Sequence, residues 1–113
     1  PVENSIIMSQ HRLDICMRKI AKAKEMVKEL KADDLHGMLG CHEAEAMVLC
    51  CEMQMRASIM RQESRGWFLR EDFPMMDNEN WLKWIIIKNV NGEMTFETED
   101  VPIDQYDVQP LKF

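Results

Sequence analysis

Glu63-Ser64-Arg65-Gly66-Trp67-Phe68-Leu69-Arg70-Glu71-Asp72-Phe73-Pro74, separated by Met75-Met76 from Asp77-Asn78-Glu79-Asn80-Trp81-Leu82-Lys83, divides this 113-residue chain into two halves. The halves obey different periodicities. Upstream, apolar residues recur at three-and-four spacing, the signature of helices. Ile6, Leu13, Cys16, Ile20, Ala23, Val27 and Leu30 make one such stripe, predicting a helix over 5–31 capped by Asn4 or Ser5. A second helix is predicted over 41–65, with Gly66 placed as the left-handed residue that ends it. It carries two apolar stripes: Ala46, Cys50, Met53, Ala57, Met60, and Cys41, Ala44, Val48, Cys51, Met55, Ile59. A partner helix covers only one, so the other must meet something else. Gly37 and Gly40 make 33–40 a connection, with at most a short turn over Leu35–Leu39.

Downstream, Trp67 to Met76 reads as non-helical. Asp77 is placed to cap a short helical turn. Ile85-Ile86-Ile87, the turn pair Asn91-Gly92 and the alternating Met94-Thr95-Phe96-Glu97-Thr98 predict a β-hairpin. From Glu93 to Asp107 there are six acids and no Lys or Arg. The expectation is one domain over 1–113: a helical part with the loop over 4–76, then a short turn, hairpin and acidic tail over 77–113.

Composition narrows the function classes. With 14 basic and 20 acidic residues the formal charge is −6, which argues against nucleic acid or an anionic membrane as the main partner. No apolar run approaches the roughly 18 residues of a membrane span. Cys16, Cys41, Cys50 and Cys51 lack disulfide spacing and read as small core residues in a reducing cytoplasm. Seven of the eleven methionines lie between Met38 and Met76, largely at positions read as core-facing. His11, His36 and His42 are not spaced as metal ligands, so no metal site is expected. No Gly-x-Gly-x-x-Gly is present, so the chain carries no dinucleotide-binding signature.

The run Glu63–Pro74 with Asp77–Trp81 resembles the C-terminal signature of the succinate dehydrogenase/fumarate reductase flavoprotein family, which includes L-aspartate oxidase and the adenylylsulfate reductase flavoprotein. The resemblance covers about residues 38–103. Gly66-Trp67-Phe68-Leu69-Arg70-Glu71-Asp72 has no His where the succinate dehydrogenase branch has one, and the ending Asn78-Glu79-Asn80-Trp81, followed by Trp84 and Ile85-Ile86-Ile87, looks at least as close to the adenylylsulfate reductase branch. The resemblance implies a mainly α fold, a three-helix bundle of spectrin-repeat type, to which the hairpin is added. It implies the C-terminal domain of an FAD-dependent oxidoreductase acting on a small acid or anion, often with an iron–sulfur subunit. FAD would then belong to the parent enzyme, with no cofactor in this chain. The family's hydride-transfer and substrate-binding residues lie upstream of this region, so no catalytic residue is carried over.

Arg65 and Arg70 stand among Glu63, Glu71 and Asp72. Their guanidinium forks suit carboxylates across a domain or subunit interface, or local pairing within the loop. The resemblance favours the interface, with Arg65, Arg70, Asp72 and Trp81 as its residues. Trp67, Trp81 and Trp84 read as anchors of loop and hairpin against the helices, or as aromatics packed on a flavin. The partners expected are the flavin-binding domain of the same enzyme, an iron–sulfur subunit, and a second copy through the uncovered face of helix two. The location expected is cytoplasmic. A free-standing helical interaction module without enzyme activity is the competing reading.

Overall fold

The computed structural model describes residues 6–110. In order, it contains a strand β1 (Ile7–Met8), helices α1 (Gln10–Val27) and α2 (Leu35–Met60), a strand β2 (Leu69–Arg70), a one-turn helix α3 (Asn78–Trp81) and a hairpin of β3 (Lys83–Val90) and β4 (Glu93–Asp100). A short 3-10 turn, Ile103–Gln105, follows.

The two long helices pack on each other as the stripes require. Leu13, Cys16 and Ile20 of α1 form the core with Met55 of α2 and Met8 of β1. Val48, Cys51 and Ile59 pack around them. The stripe turned toward α1 is therefore the one running Cys41 to Ile59. Val48, Met55 and Ile59 therefore face α1 and the core, so a further body would not meet that part of the stripe. The uncovered apolar residues of α2 lie elsewhere: Leu35 is 80% exposed and Met47 62%, with Leu39 and Leu49 also exposed.

Offset explains much of this exposure. Lys24 meets Glu52 across the pair at 2.7 Å. From there α1 runs only three more residues to Val27, whereas α2 begins seventeen residues before Glu52, at Leu35. The first turns of α2 thus project beyond the end of α1.

Several boundaries differ from the sequence expectation. α1 starts at Gln10, not near residue 5, and Ile6 lies exposed outside the stripe. The caps expected at Asn4 or Ser5 fall outside the described residues. α2 starts at Leu35, six residues before the expected start at Cys41, because Asp34 caps it: its carboxylate accepts from the Gly37 amide at 2.6 Å. The cap, worth about 1 kcal/mol, offsets part of the roughly 1 kcal/mol that each glycine costs in a helix. α2 ends at Met60, so Gly66 is not its terminator.

Third in the helical series is a single turn, started as expected by the Asp77 carboxylate on the Asn80 amide at 2.9 Å. The architecture is mixed and mainly helical: a two-helix hairpin, one further helical turn and a two-stranded antiparallel sheet. Register runs from Lys83↔Asp100 to Val90↔Glu93. Asn91 and Gly92 both take positive φ, 53° and 86°, as a two-residue hairpin turn matched to strand twist demands.

Core composition departs from expectation too. Among the methionines from Met38 to Met76, Met55 is buried while Met38, Met47, Met75 and Met76 are exposed. Of the cysteines, all unbridged, Cys16 is buried and Cys50 exposed. Trp67 is not an anchor: it is 94% exposed. No helix of the described residues is long and apolar enough to cross a membrane.

Candidate functional site

α2 ends with carbonyls that have no helical partner, and the charged loop is organised around that end. Arg70 reaches back beneath it. Its Nη1 donates to the carbonyls of Ser58 at 2.6 Å, Arg61 at 3.2 Å and Ile59 at 3.4 Å. A cation on the last carbonyls also complements the helix dipole. Its other edge forks onto Asp72, Nε to Oδ1 at 2.8 Å and Nη2 to Oδ2 at 2.5 Å. The guanidinium lies over the Phe73 ring, 5.0 Å from its centre. Arg70 is only 1% exposed, so it meets its own chain and not solvent.

Asp72 has a second task. Ser9 stands at the N-cap of α1 but makes no side-chain cap bond. Instead the Asp72 carboxylate accepts the Gln10 amide at 3.0 Å, capping α1 from 62 residues away. The Arg70 fork, with the Gln10 amide, outweighs the cost of burial and holds the Asp72 carboxyl down at about 2, against an ordinary 3.8. β1 completes the join: Ile7–Met8 pairs in parallel with Leu69–Arg70, and the Glu71 amide donates to the Met8 carbonyl at 2.8 Å.

A second buried charge lies on the other side of Ser64. Glu63 is 0% exposed. It receives Arg65 bidentately, at 2.8 and 2.9 Å, Arg61 at 2.5 Å and the Asp77 amide at 2.9 Å. Burial alone would raise its pKa; bonds from Arg65, the Asp77 amide and Arg61 overcome that and leave it lowered. Arg61 then donates to the carbonyls of Trp81 at 3.0 Å and Lys83 at 2.6 Å, and lies over the Trp81 ring at 5.4 Å. Arg65 reaches Asn78 Oδ1 at 2.9 Å. Glu63 thereby ties the end of α2 to α3 and the start of the hairpin.

Ser64 joins the two centres. Its hydroxyl donates to the Phe73 carbonyl at 2.8 Å and accepts the Arg70 amide at 2.8 Å. Between them, Arg65 and Phe68 exchange backbone bonds of 2.8 and 3.0 Å around Gly66, whose φ of +57° suits this tight turn.

Arg65, Arg70, Asp72 and Trp81 therefore belong to one connected loop system, and each bonds within this chain. Sequence reasoning passed over Glu63 as a hub, and over Arg61, Ser64, Ser58 and Gln10. The density of charge in 61–72 was the signal for a hub, but only tertiary contacts say which carboxylate is buried.

A separate cleft of about 630 Å³ lies between α2 and the hairpin, lined by Glu52, Arg56, Ile87 and Met94 among others. Two of its charges are engaged within the chain: Glu52 with Lys24, and Arg56 with the Met94 carbonyl at 3.3 Å and the Phe96 ring at 4.7 Å. No group of three or more metal-ligating side chains occurs among the described residues. Nor do these residues fit a flavin dinucleotide. Gly37 and Gly40 lie inside α2, and Gly66 and Gly92 in tight turns, so none forms a phosphate cradle between strand and helix.

Comparison with known proteins supplies the context. A family described as the fumarate reductase flavoprotein C-terminal region matches residues 3–112. The chain is 31% identical over 101 residues to an uncharacterized FAD-dependent oxidoreductase of Methanocaldococcus jannaschii, a match covering 89% of this chain and 18% of that one. It is 29% identical over 87 residues to one of the subunits of the CoM/CoB fumarate reductase of Methanothermobacter marburgensis, covering 74% and 16%. The chain spans less than a fifth of the length of these relatives.

Proposed function

The chain belongs to the fumarate reductase flavoprotein C-terminal family, and on that premise we propose that it acts as the helical C-terminal domain of an FAD-dependent oxidoreductase, buttressing the flavin-binding domain. The family match along nearly the whole chain carries this reading. The loop around Glu63 and Arg70 is the part suited to the task. Two buried, fully bonded charges give it one rigid shape, so Arg65, Arg70, Asp72 and Trp81 serve the interface by fixing the surface they stand behind. Residues 1–113 would act as one domain, with α1, α2 and the short α3 as its reduced three-helix bundle. FAD, an iron–sulfur partner subunit, electron transfer and a cytoplasmic location belong to the parent enzyme in this reading. When bound, FAD would supply the hydride and electron chemistry; this chain's residues would shape and support its domain.

The test is flavin retention. The isolated chain, incubated with FAD and passed through gel filtration, should emerge colourless, while the parent enzyme keeps flavin and loses it more readily once these residues are deleted. Stoichiometric flavin on the isolated chain would overturn the reading.

A second reading, a free-standing interaction module, draws on the exposed apolar residues of α2. A reading frame that continues upstream into a Gly-rich strand–turn–helix decides against it.

A further inference from the structure

β1 and β2 form a ribbon with an apolar outer side, while its inner side carries Met8 beside the buried Arg70. Their register, Ile7↔Leu69 and Met8↔Arg70, sorts the side chains by face. Met8, Phe68 and Arg70 turn inward, Met8 and Phe68 against the helical core and Arg70 beneath α2. Ile7, Trp67 and Leu69 turn outward and are all exposed. Apolar residues on the outward face of a strand pair fit a ribbon covered from both sides, yet only the inner face is covered by the described residues.

The backbone under the outer face is fixed. Trp67 stands on the turn closed by the Arg65–Phe68 pair, and the Arg70 amide is pinned by Ser64. The loop therefore has little backbone ordering left to lose on binding, and a tryptophan presented on it is a large apolar contact.

We infer that the ridge of Ile7, Trp67 and Leu69 is the contact through which this domain seats on the flavin-binding part of its parent polypeptide. This rests on the function proposed above and locates the contact on the opposite face of the ribbon from Arg70. The occupant follows from two facts. The matched region is under a fifth of the relatives and is the C-terminal part of its family. In a protein of that length the remaining chain arrives ahead of Ile7, at one end of the ridge itself.

Hydroxyl-radical footprinting of the full-length flavoprotein tests this, with Trp84 as internal reference. In this chain Trp67 is 94% exposed and Trp84 44%. In the full-length protein Trp67 should be oxidised severalfold more slowly than Trp84. Trp67→Glu, a change at an exposed position that the fold should tolerate, should restore oxidation at Leu69. Faster oxidation of Trp67 than Trp84 in a flavin-loaded protein overturns the inference and leaves the proposed function standing. Protection that disappears on dilution also overturns it, by assigning the ridge to a second copy. A full-length protein that holds no flavin removes the proposed function, and the inference with it.

Discussion

Arg70 Nη1 donates to the Ser58 carbonyl at 2.6 Å, so the last turn of α2 is closed by a side chain twelve residues beyond it in the sequence. Because Nη2 of the same guanidinium forks onto Asp72, which caps α1, one side chain joins the end of one helix to the start of the other.

Arg70→Lys should therefore lower stability by about 3 kcal/mol, since an ammonium cannot reach the α2 carbonyls and fork onto Asp72 together. Arg65→Lys should cost less, about 1 kcal/mol, because Glu63 keeps Arg61 and the Asp77 amide. Urea unfolding of the two variants measures both. Equal, negligible losses would mean that neither guanidinium supports the loop internally.

Acid should weaken the domain in a defined window. Asp72 titrates at about 2 when folded and near 3.8 otherwise, so the unfolded chain binds the proton first. Its contribution is complete above about pH 5 and is lost as pH falls from about 4 toward 2, on the order of 1 kcal/mol once solvent screening of this exposed residue is allowed for. Glu63, also lowered, acts in the same direction. Unfolding midpoints between pH 6 and 2 should fall less steeply for Asp72→Asn than for the unsubstituted chain. Parallel curves would remove Asp72 from the account.

Two glycine substitutions should have opposite signs. A methyl group at either Gly66 or Gly40 meets nothing within 4 Å, so backbone preference alone decides. Gly66 has φ +57°, and Gly66→Ala should cost about 1 kcal/mol. Gly40 lies inside α2, and Gly40→Ala should add about 0.5–1 kcal/mol. Thermal melting of the pair reads both; the same sign at both positions would contradict the assigned conformations.

Exposed Leu39 and Met47 on α2 should drive self-association of the isolated chain at high concentration. Leu39→Lys and Met47→Lys should abolish it while leaving stability within about 0.5 kcal/mol. Sedimentation velocity across a concentration series gives the result. Association unchanged by both substitutions would move the contact elsewhere.

How far the sequence was legible depended on the range of the interactions involved. Periodicity located both long helices, and local turn chemistry found Asp77 and Asn91-Gly92, because those signals are written in adjacent residues. β1 was missed because two residues show no period; its partner is Leu69–Arg70, some sixty positions on. The two stripes of α2 were visible, but which one α1 would cover was not, since that depends on how the helices rotate and slide. Arg65 and Arg70 stood out as candidates, whereas the burial of Glu63 came only with the fold. Trp67 was misjudged as an anchor because aromatic size argues for burial, whereas it stands exposed on the turn around Gly66.

The remote cap on α1 bears on how the chain is made. Synthesis delivers α1 before the segment that caps it, with Ser9 at its head making no side-chain cap bond and β1 beside it lacking a strand partner. Neither is completed until Leu69 to Asp72 has left the ribosome. Most helical stability in a protein comes from packing of the apolar face, so α1 gains its full support only after α2 and this segment have been made. Final closure is then a single late event in which Arg70 and Asp72 lock both helices together. Quality control by the cell would meet its vulnerable species before that closure, with Met8 and the helix stripes still open to water.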